Sequence, residues 1–514
     1  MPIKKEQFVI VQEDLQKAVD VDDGRGRSCP INMNFIEEGY LSKDTGVALF
    51  GATETSLCHS LFNYKKKSGT SYIIRGKGTK LQLYNTTTGV WGDLSPTYTA
   101  DKYFGFVVYN DILYGCNGVE AYFKWDGTTF TDYATAPKGN VLEVFEDRMF
   151  VSGVDAEPLT VYYSKISDPT DWTNTAYVLK PLGTDSVTVL KNYYGQLLIF
   201  KQKSIWKLTF IYDQVAAAFV PKLEVQSNNY GACSKEAATW VENDIWFFTG
   251  REVRAIGYKD QQTGVLGINQ SVISEQIKET LYTISTSDYS KCVVFYNNRR
   301  FYLSVPIVGS ENDTIFVCHL LYKSTWTKYE DRIKANAFDF MEIDGVVYSA
   351  KSVAPYGVVK WDETLLNDNG VAISAEVFFR KVEDKDFNRF TIYRYLDLMF
   401  KNLEGKITVS LKCDANDLRS MKTKQFYVGQ PIENMENTLG EIDTGQALVG
   451  DAFGEDISSS PFLKNRISFL VKVQTLTIGI SNSNLNETFT IAQYSLFGIK
   501  ESRKLSKLNS IKSM

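Results

Sequence analysis

Histidine is nearly absent: His59 and His319 are the 2 such residues in a chain of 514. That weakens both a multi-histidine metal site and chemistry built on a histidine general base. Proline is scarce at 12 residues and glycine ordinary at 35, so the chain is neither collagen-like nor of low complexity. No stretch approaches the ~18 consecutive apolar residues of a membrane-spanning helix. The first apolar run, Phe8-Val-Ile-Val, is short and soon meets Glu13 and Asp14, which is not a secretory signal. The expectation is a protein made and folded in a cytosol. A basic excess is missing too. With 56 Lys and Arg against 61 Asp and Glu the formal charge is −5, which disfavours a dedicated nucleic-acid binder.

Sequence signatures of catalysis are missing as well. There is no GxxxxGK[ST] phosphate loop, no strand–GxGxxG–helix unit, no HExxH and no GxSxG. Arg75-Gly-Lys-Gly-Thr-Lys80 is cationic and glycine-rich, but it lies between two strand-like runs rather than before a helix, and reads as a turn. Asp20-Val-Asp-Asp-Gly24 opens like a calcium loop but lacks the downstream glutamate, and reads as an acidic turn. Ser167-Asp-Pro-Thr-Asp-Trp-Thr173 lacks the glycine and spacing of a sialidase box, and Trp125-Asp126 is a WD pair without its Gly-His partner. The cysteines, Cys29, Cys58, Cys116, Cys233, Cys292, Cys318 and Cys413, form no CxxC pair. The adjacent pairs Cys58-His59 and Cys318-His319 would point to opposite faces of a strand. Buried reduced thiols are expected. No catalytic, metal or cofactor residue is assigned, and the chain is expected not to be an enzyme.

What the sequence does have is aromatic, strand-forming repetition. Aromatics make up 13%, with 30 Tyr and 31 Phe, residues suited to half-buried strands. An apolar run, a polar turn and a second aromatic run recur at Phe104–Cys116, Val141–Gly153, Val187–Phe200, Ala237–Phe248, Cys292–Leu303 and Ala337–Ser349. Each is a hairpin signature. The turn residues Asp111, Asp147, Gly195, Asp244, Asn298 and Gly345 stand roughly 36 to 54 apart, close to the period of propeller blades. A second hairpin often closes the repeat, as in Leu83–Trp91, Phe123–Phe130 and Leu321–Trp326, which gives four strands per repeat. The expected fold is all-β, with a β-propeller of six or seven four-stranded blades over residues 41–370. Longer alternating strands over 371–499 suit a β-sandwich. Residues 1–40 read as an arm able to supply a propeller-closing strand, 434–460 as a long loop, and 500–514 as a basic, solvated or docking tail.

Two segments carry a resemblance. Tyr162-Tyr-Ser-Lys-Ile-Ser-Asp-Pro-Thr-Asp-Trp-Thr-Asn174 is followed by Gly183-Thr-Asp-Ser-Val-Thr-Val-Leu190 and Leu197-Leu-Ile-Phe-Lys-Gln-Lys-Ser-Ile-Trp-Lys-Leu208. The chain there resembles the β-propeller tail proteins of bacteriophages, the packaged-DNA stabilisation or tail hub and nozzle proteins of short-tailed phages. The end of the chain, from Ser459-Ser-Pro-Phe-Leu-Lys-Asn-Arg-Ile467 through Glu487–Gly498, is similar to the terminal strands of such proteins. The likeness is good over about 140–210 and looser over 40–370.

The resemblance implies a virion protein assembled in the host cytoplasm. Copies would form a ring, taken as a hexamer, around the tail axis below portal and adaptor proteins and beside tail fibres. The ring would retain double-stranded DNA and pass it at ejection. A mildly acidic protein suits a conduit, because it lacks the counterion-release affinity of a basic channel. Two other readings stand beside it: a receptor- or carbohydrate-binding propeller of a tail tip, collar or fibre meeting the host surface, and a propeller enzyme acting on glycans. Exposed aromatics on one propeller face would favour the first of these.

Overall fold

The structure is a computed structural model. It describes residues 8–11, 29–36, 40–120, 122–172, 178–215, 217–260, 265–268, 272–322, 325–379, 382–383, 391–413, 424–428, 463–473 and 475–500. The loop expected over 434–460, the acidic turn at 20–24, residues 501–514 of the basic tail, and residues 173–174 and 459–462 of the resembling stretches lie outside these residues. The chain divides into two compact units, Thr45–Asn369 and a second built from Met1–Asp44 with Gly370–Met514. Strand is the predominant regular structure of the described residues, and among them no helix is long and apolar enough to cross a membrane.

The larger unit is a succession of antiparallel sheets, labelled I to VII. Sheet I is the meander Cys58–Lys65, Ser71–Lys77, Lys80–Asn85 and Val90–Asp93. Sheets II to VI repeat that four-stranded order within residues 105–133, 141–179, 187–227, 238–268 and 293–329. Sheet VII takes Ala337–Ile343, Val346–Lys351 and Tyr356–Trp361 from the end of the unit and Val47–Glu54 from its start. The strand that completes it therefore comes from just beyond the arm of residues 1–40.

Local sequence explains these hairpins. In sheet III, Glu146 and Asp147 both take left-handed φ, 44° and 53°, the geometry that matches a two-residue turn to the twist of its strands. Sheet V departs from expectation by a small shift. Its turn falls at Glu242-Asn243, and Asp244 already opens the second strand.

Consecutive sheets are joined by hydrogen bonds, each with at least one partner on or just before a first strand. Phe104 N–H donates to Ser60 Oγ (2.8 Å) between I and II, and Gly118 N–H to the Gly139 carbonyl (2.8 Å) between II and III. Asn192 Nδ2 donates to the Val144 carbonyl (3.3 Å) between III and IV, and Thr188 Oγ1 to the Ala232 carbonyl (2.9 Å) between IV and V. Val294 N–H donates to the Glu236 carbonyl (2.8 Å) between V and VI, and Ser304 Oγ to the Ala337 carbonyl (2.6 Å) between VI and VII. Leu61 N–H donates to Asp339 Oδ2 (2.7 Å) between VII and I. First strands this close need small residues. A Cβ on Gly105 would stand 2.4 Å from the Asn140 carbonyl oxygen.

Further out, apolar side chains fill the space between sheets. Leu61, Ile73 and Trp91 pack on Met341, Tyr348 and Val358, and Tyr64, Leu81 and Ile74 on Leu113, Phe123 and Trp125. Aromatic pairs join the sheets where the core is narrower, Phe200 with Phe247 at 5.4 Å and Trp246 with Phe301 at 5.1 Å. Each fully buried ring of this kind contributes about 1.5–3 kcal/mol over its exposed state. Cys58, Cys116, Cys233, Cys292 and Cys318 are buried in this unit and Cys29 in the second, all outside any disulfide.

Two further sheets make the second unit. One runs Met33–Phe35, Leu41–Lys43, Thr488–Lys500, Thr391–Glu404, Leu463–Val473, with Phe8–Val11 also paired to Thr488–Lys500. The other runs Ala375–Phe378, Thr475–Asn482, Ile407–Cys413, Lys424–Val428. Burial alternates along them, with Ile407, Val409 and Leu411 inside and their neighbours turned outward. Phe379 stacks on Tyr494 at 4.4 Å, and Lys43 Nζ donates to Asn482 Oδ1 at 2.6 Å. The described strands of the N-terminal segment thus belong with the C-terminal sheets.

Candidate functional site

The most unusual chemistry of the larger unit lies where first strands begin. Asp339 sits on the first strand of sheet VII, at a shift in register between Ala337 and Asp339. Such an irregularity re-aims a side chain. Its carboxyl accepts the N–H groups of Leu61 (2.7 Å) and Phe340 (2.8 Å). Glu236 lies just ahead of sheet V and Tyr103 just ahead of sheet II. The Tyr103 hydroxyl donates to the Glu236 carboxylate, a contact between residues 133 apart in sequence. It joins sheets that are not neighbours, so side chains bridge the space between their first strands.

Burial dominates the electrostatics here. It drives the Asp339 carboxyl well above the usual carboxylate range, and the nearby charge of Glu236 adds to this against the two N–H donors. The Tyr103 phenol is pushed far up, first by burial and then by Glu236 and Asp339. Lys235, with Nζ 5.8 Å from the Tyr103 ring centre, is lowered by burial against the opposing charges of Asp155 and Glu236. The arrangement therefore favours the protonated form of Asp339 beside Glu236 and fastens Tyr103 across the gap. As a chemical device it is a pin.

The histidines are elsewhere. His59 is buried in sheet I, its ring nitrogens 3.3 Å from Ser60 Oγ and 3.3 Å from the Gly78 carbonyl. His319 closes a strand of sheet VI with Nε2 2.9 Å from Thr327 Oγ1. Among the described residues, no three His, Cys, Asp or Glu side chains gather as a metal site.

The motifs weighed in the sequence have structural posts. Arg75 is buried on the second strand of sheet I, paired with Glu54, bonded to Gln82 Oε1 (2.9 Å) and lying 4.2 Å over the Trp91 ring. Gly78-Thr79 after it is the hairpin turn. Asp126 accepts the N–H groups of Thr128 (2.8 Å) and Thr129 (2.7 Å), which hold its carboxyl down to about 2. Trp125 beside it is core. Asp168 caps its own turn through Thr170.

Sequence reasoning assigned none of Tyr103, Glu236 and Asp339. The available signal was a charge inside an apolar strand pattern: Asp339 within Ala337-Phe-Asp-Phe-Met341, and Lys235-Glu236 among small residues from Ala232 to Ala238. A charge so placed either faces solvent or is buried with a partner, and only packing tells which.

No family model matches the chain, and no curated protein matches it. Among solved structures it is similar to the computationally designed Ika8 protein, with 11% identity, 61% of this chain and 98% of that chain covered, and a TM-score of 0.38. A likeness that loose carries no argument about fold or function.

Proposed function

We propose that Thr45–Asn369 is a seven-bladed β-propeller, that the second unit is a β-sandwich, and that the chain is a non-enzymatic hub or nozzle subunit of a bacteriophage tail. The propeller reading is supported by the link from each sheet to the next, sheet VII to sheet I included, and by the mixed origin of sheet VII. Repeats that cannot bury their faces alone gain a continuous core when the last packs on the first.

The tail reading is carried by one observation. The two segments that resemble phage tail propellers fall in consecutive sheets: Glu157–Tyr163 and the turn after it in sheet III, Gln196–Lys201 and Ile205–Asp213 in sheet IV. The pin adds a physical condition. DNA is far too wide to pass between first strands joined by the Tyr103–Glu236 hydrogen bond. A channel for it must therefore lie between copies, which makes a homo-oligomer part of the proposal.

Sheet IV offers surface for such contacts. Its last two strands run on beyond their neighbour as a two-stranded ribbon, Thr209–Asp213 paired with Ala218–Lys222, with Tyr212, Val215 and Phe219 exposed. Two strands alone are marginally stable in water, so a covering partner would steady them.

The test is the mass of the purified full chain by light scattering with negative-stain imaging, alone and mixed with tail-adaptor and portal proteins. A ring, or addition to the end of a portal–adaptor stub, is expected. A monomer that ignores both partners would sink the proposal.

A further inference from the structure

Sheets II to VII set the first residue of their first turn in the left-handed region: Asn110 (φ 48°), Glu146 (44°), Tyr194 (44°), Glu242 (54°), Asn298 (47°) and Asp344 (48°). Asparagine and aspartate tolerate that conformation well; a bulky aromatic does not. Tyr194 is the aromatic of the set, and burial does not compensate it, because it is 56% exposed. Backbone strain held at an exposed aromatic residue is a reason to look for a ligand.

Its surroundings say which kind. Tyr194 stands edge-on to Trp240 at 5.4 Å and tilted against Tyr258 at 5.9 Å. Tyr193 stacks beneath Trp240 at 5.1 Å and is itself fixed by its hydroxyl to the Asn243 carbonyl (3.0 Å). Trp240 and Tyr258 are partly exposed, so the group is an open aromatic platform between sheets IV and V.

One carboxylate lies beside it: the charge of Asp244 acts on the Tyr193 hydroxyl. Asp244 tucks over Gly257, where a Cβ would come within 1.9 Å of its Oδ1, and accepts no hydrogen bond among the described residues. Burial and the charge of Glu242, exposed at the turn, raise it.

We propose that Tyr194, Trp240 and Tyr258 form a carbohydrate-binding platform, on which a pyranose lays its C–H face while a hydroxyl at its rim donates to Asp244. Aromatic rings with an apolar body and a polar tip suit a ligand that is apolar on one face and hydroxylated at its rim. Carboxylate acceptors make strong bonds to hydroxyl donors and repel phosphate, which argues against nucleic acid. This site goes beyond the tail reading and does not depend on it.

The experiment uses the full chain and a panel of soluble galactose, mannose, rhamnose and N-acetylglucosamine oligosaccharides at millimolar concentration. Binding is read by tryptophan fluorescence and by saturation-transfer NMR. At least one probe is expected to bind. Tyr194→Asn should weaken it about tenfold or more while leaving the thermal midpoint unchanged or higher, because asparagine suits the turn. Asp244→Asn should weaken it less.

Binding by none of the panel overturns the proposal, and so does unaltered affinity in Tyr194→Asn. A Tyr194→Asn variant that changes only the mass of the assembly would mark the platform as a protein interface and equally overturn it. A monomer that binds sugar through Tyr194 would leave this site standing while the tail reading fell.

Discussion

Asp368→Ala is expected to destabilise the larger unit by about 3–5 kcal/mol, measured by urea unfolding at neutral pH. Asp368 and Arg332 are both 2% exposed, and they pair through Arg332 Nε to Oδ2 (2.9 Å) and Nη2 to Oδ1 (2.7 Å). The same Nη2 reaches the Thr45 carbonyl at 2.8 Å, so one guanidinium ties the first residue of the unit to its last turn. Around it the Gly46 N–H donates to the Leu365 carbonyl (2.6 Å) and the Asn369 N–H to the Val47 carbonyl (2.8 Å).

Removing the carboxylate takes away the two-point partner of a buried guanidinium beside Tyr329, with Lys334 4.5 Å over Trp361 to repel it. The loss should also raise amide exchange in Val47–Glu54, the strand this clasp secures. Replacing both partners by leucine should cost less than Asp368→Ala alone, because no unpaired charge then remains. A loss below about 1 kcal/mol for Asp368→Ala would contradict the clasp.

The second large effect depends on pH. Burial holds His59 down to about 4 against an ordinary 6.5, so it is neutral in the folded protein and protonates first in the unfolded chain. Its contribution is therefore complete above pH 6.5 and is lost as pH falls from there to about 4. The gap corresponds to about 3 kcal/mol at full protonation. His59→Gln should be flatter than the wild type across this window.

The measured quantity is the difference between wild type and variant at each pH, because Asp339 works the other way. A carboxyl raised in the folded state favours folding most at low pH and loses that contribution as pH rises. Parallel curves for wild type and His59→Gln would show that the histidine is not buried neutral.

The repeat was legible because turns and aromatic strands are local. Asn or Asp beside Gly between β-formers announces a hairpin wherever it stands, and the run Val141–Gly153 folds as its pattern suggests. Asp244 misled by two residues because Glu242 occupies the left-handed position, which its composition does not advertise. The fourth strand of sheet VII was hidden for another reason: Val47–Glu54 pairs with Tyr356–Trp361 some 300 residues away, and no periodicity links them.

Tyr103, Glu236 and Asp339 escaped for the same cause. Each is an ordinary residue in its own segment and acquires meaning from a contact between distant sheets. Tyr194 was closer to reach. A tyrosine ahead of Gly195, where the other repeats carry Asn, Asp or Glu, is visible in the sequence once the repeats are aligned.

The role we propose for this chain is to hold DNA in a virion. The most direct measurement adds purified protein to DNA-filled phage heads that carry portal and adaptor but no further tail, then follows nuclease-accessible DNA over time. Retention of DNA that requires the protein, with density added at the adaptor end, is the predicted result. DNA that escapes at the same rate with and without the protein would contradict it.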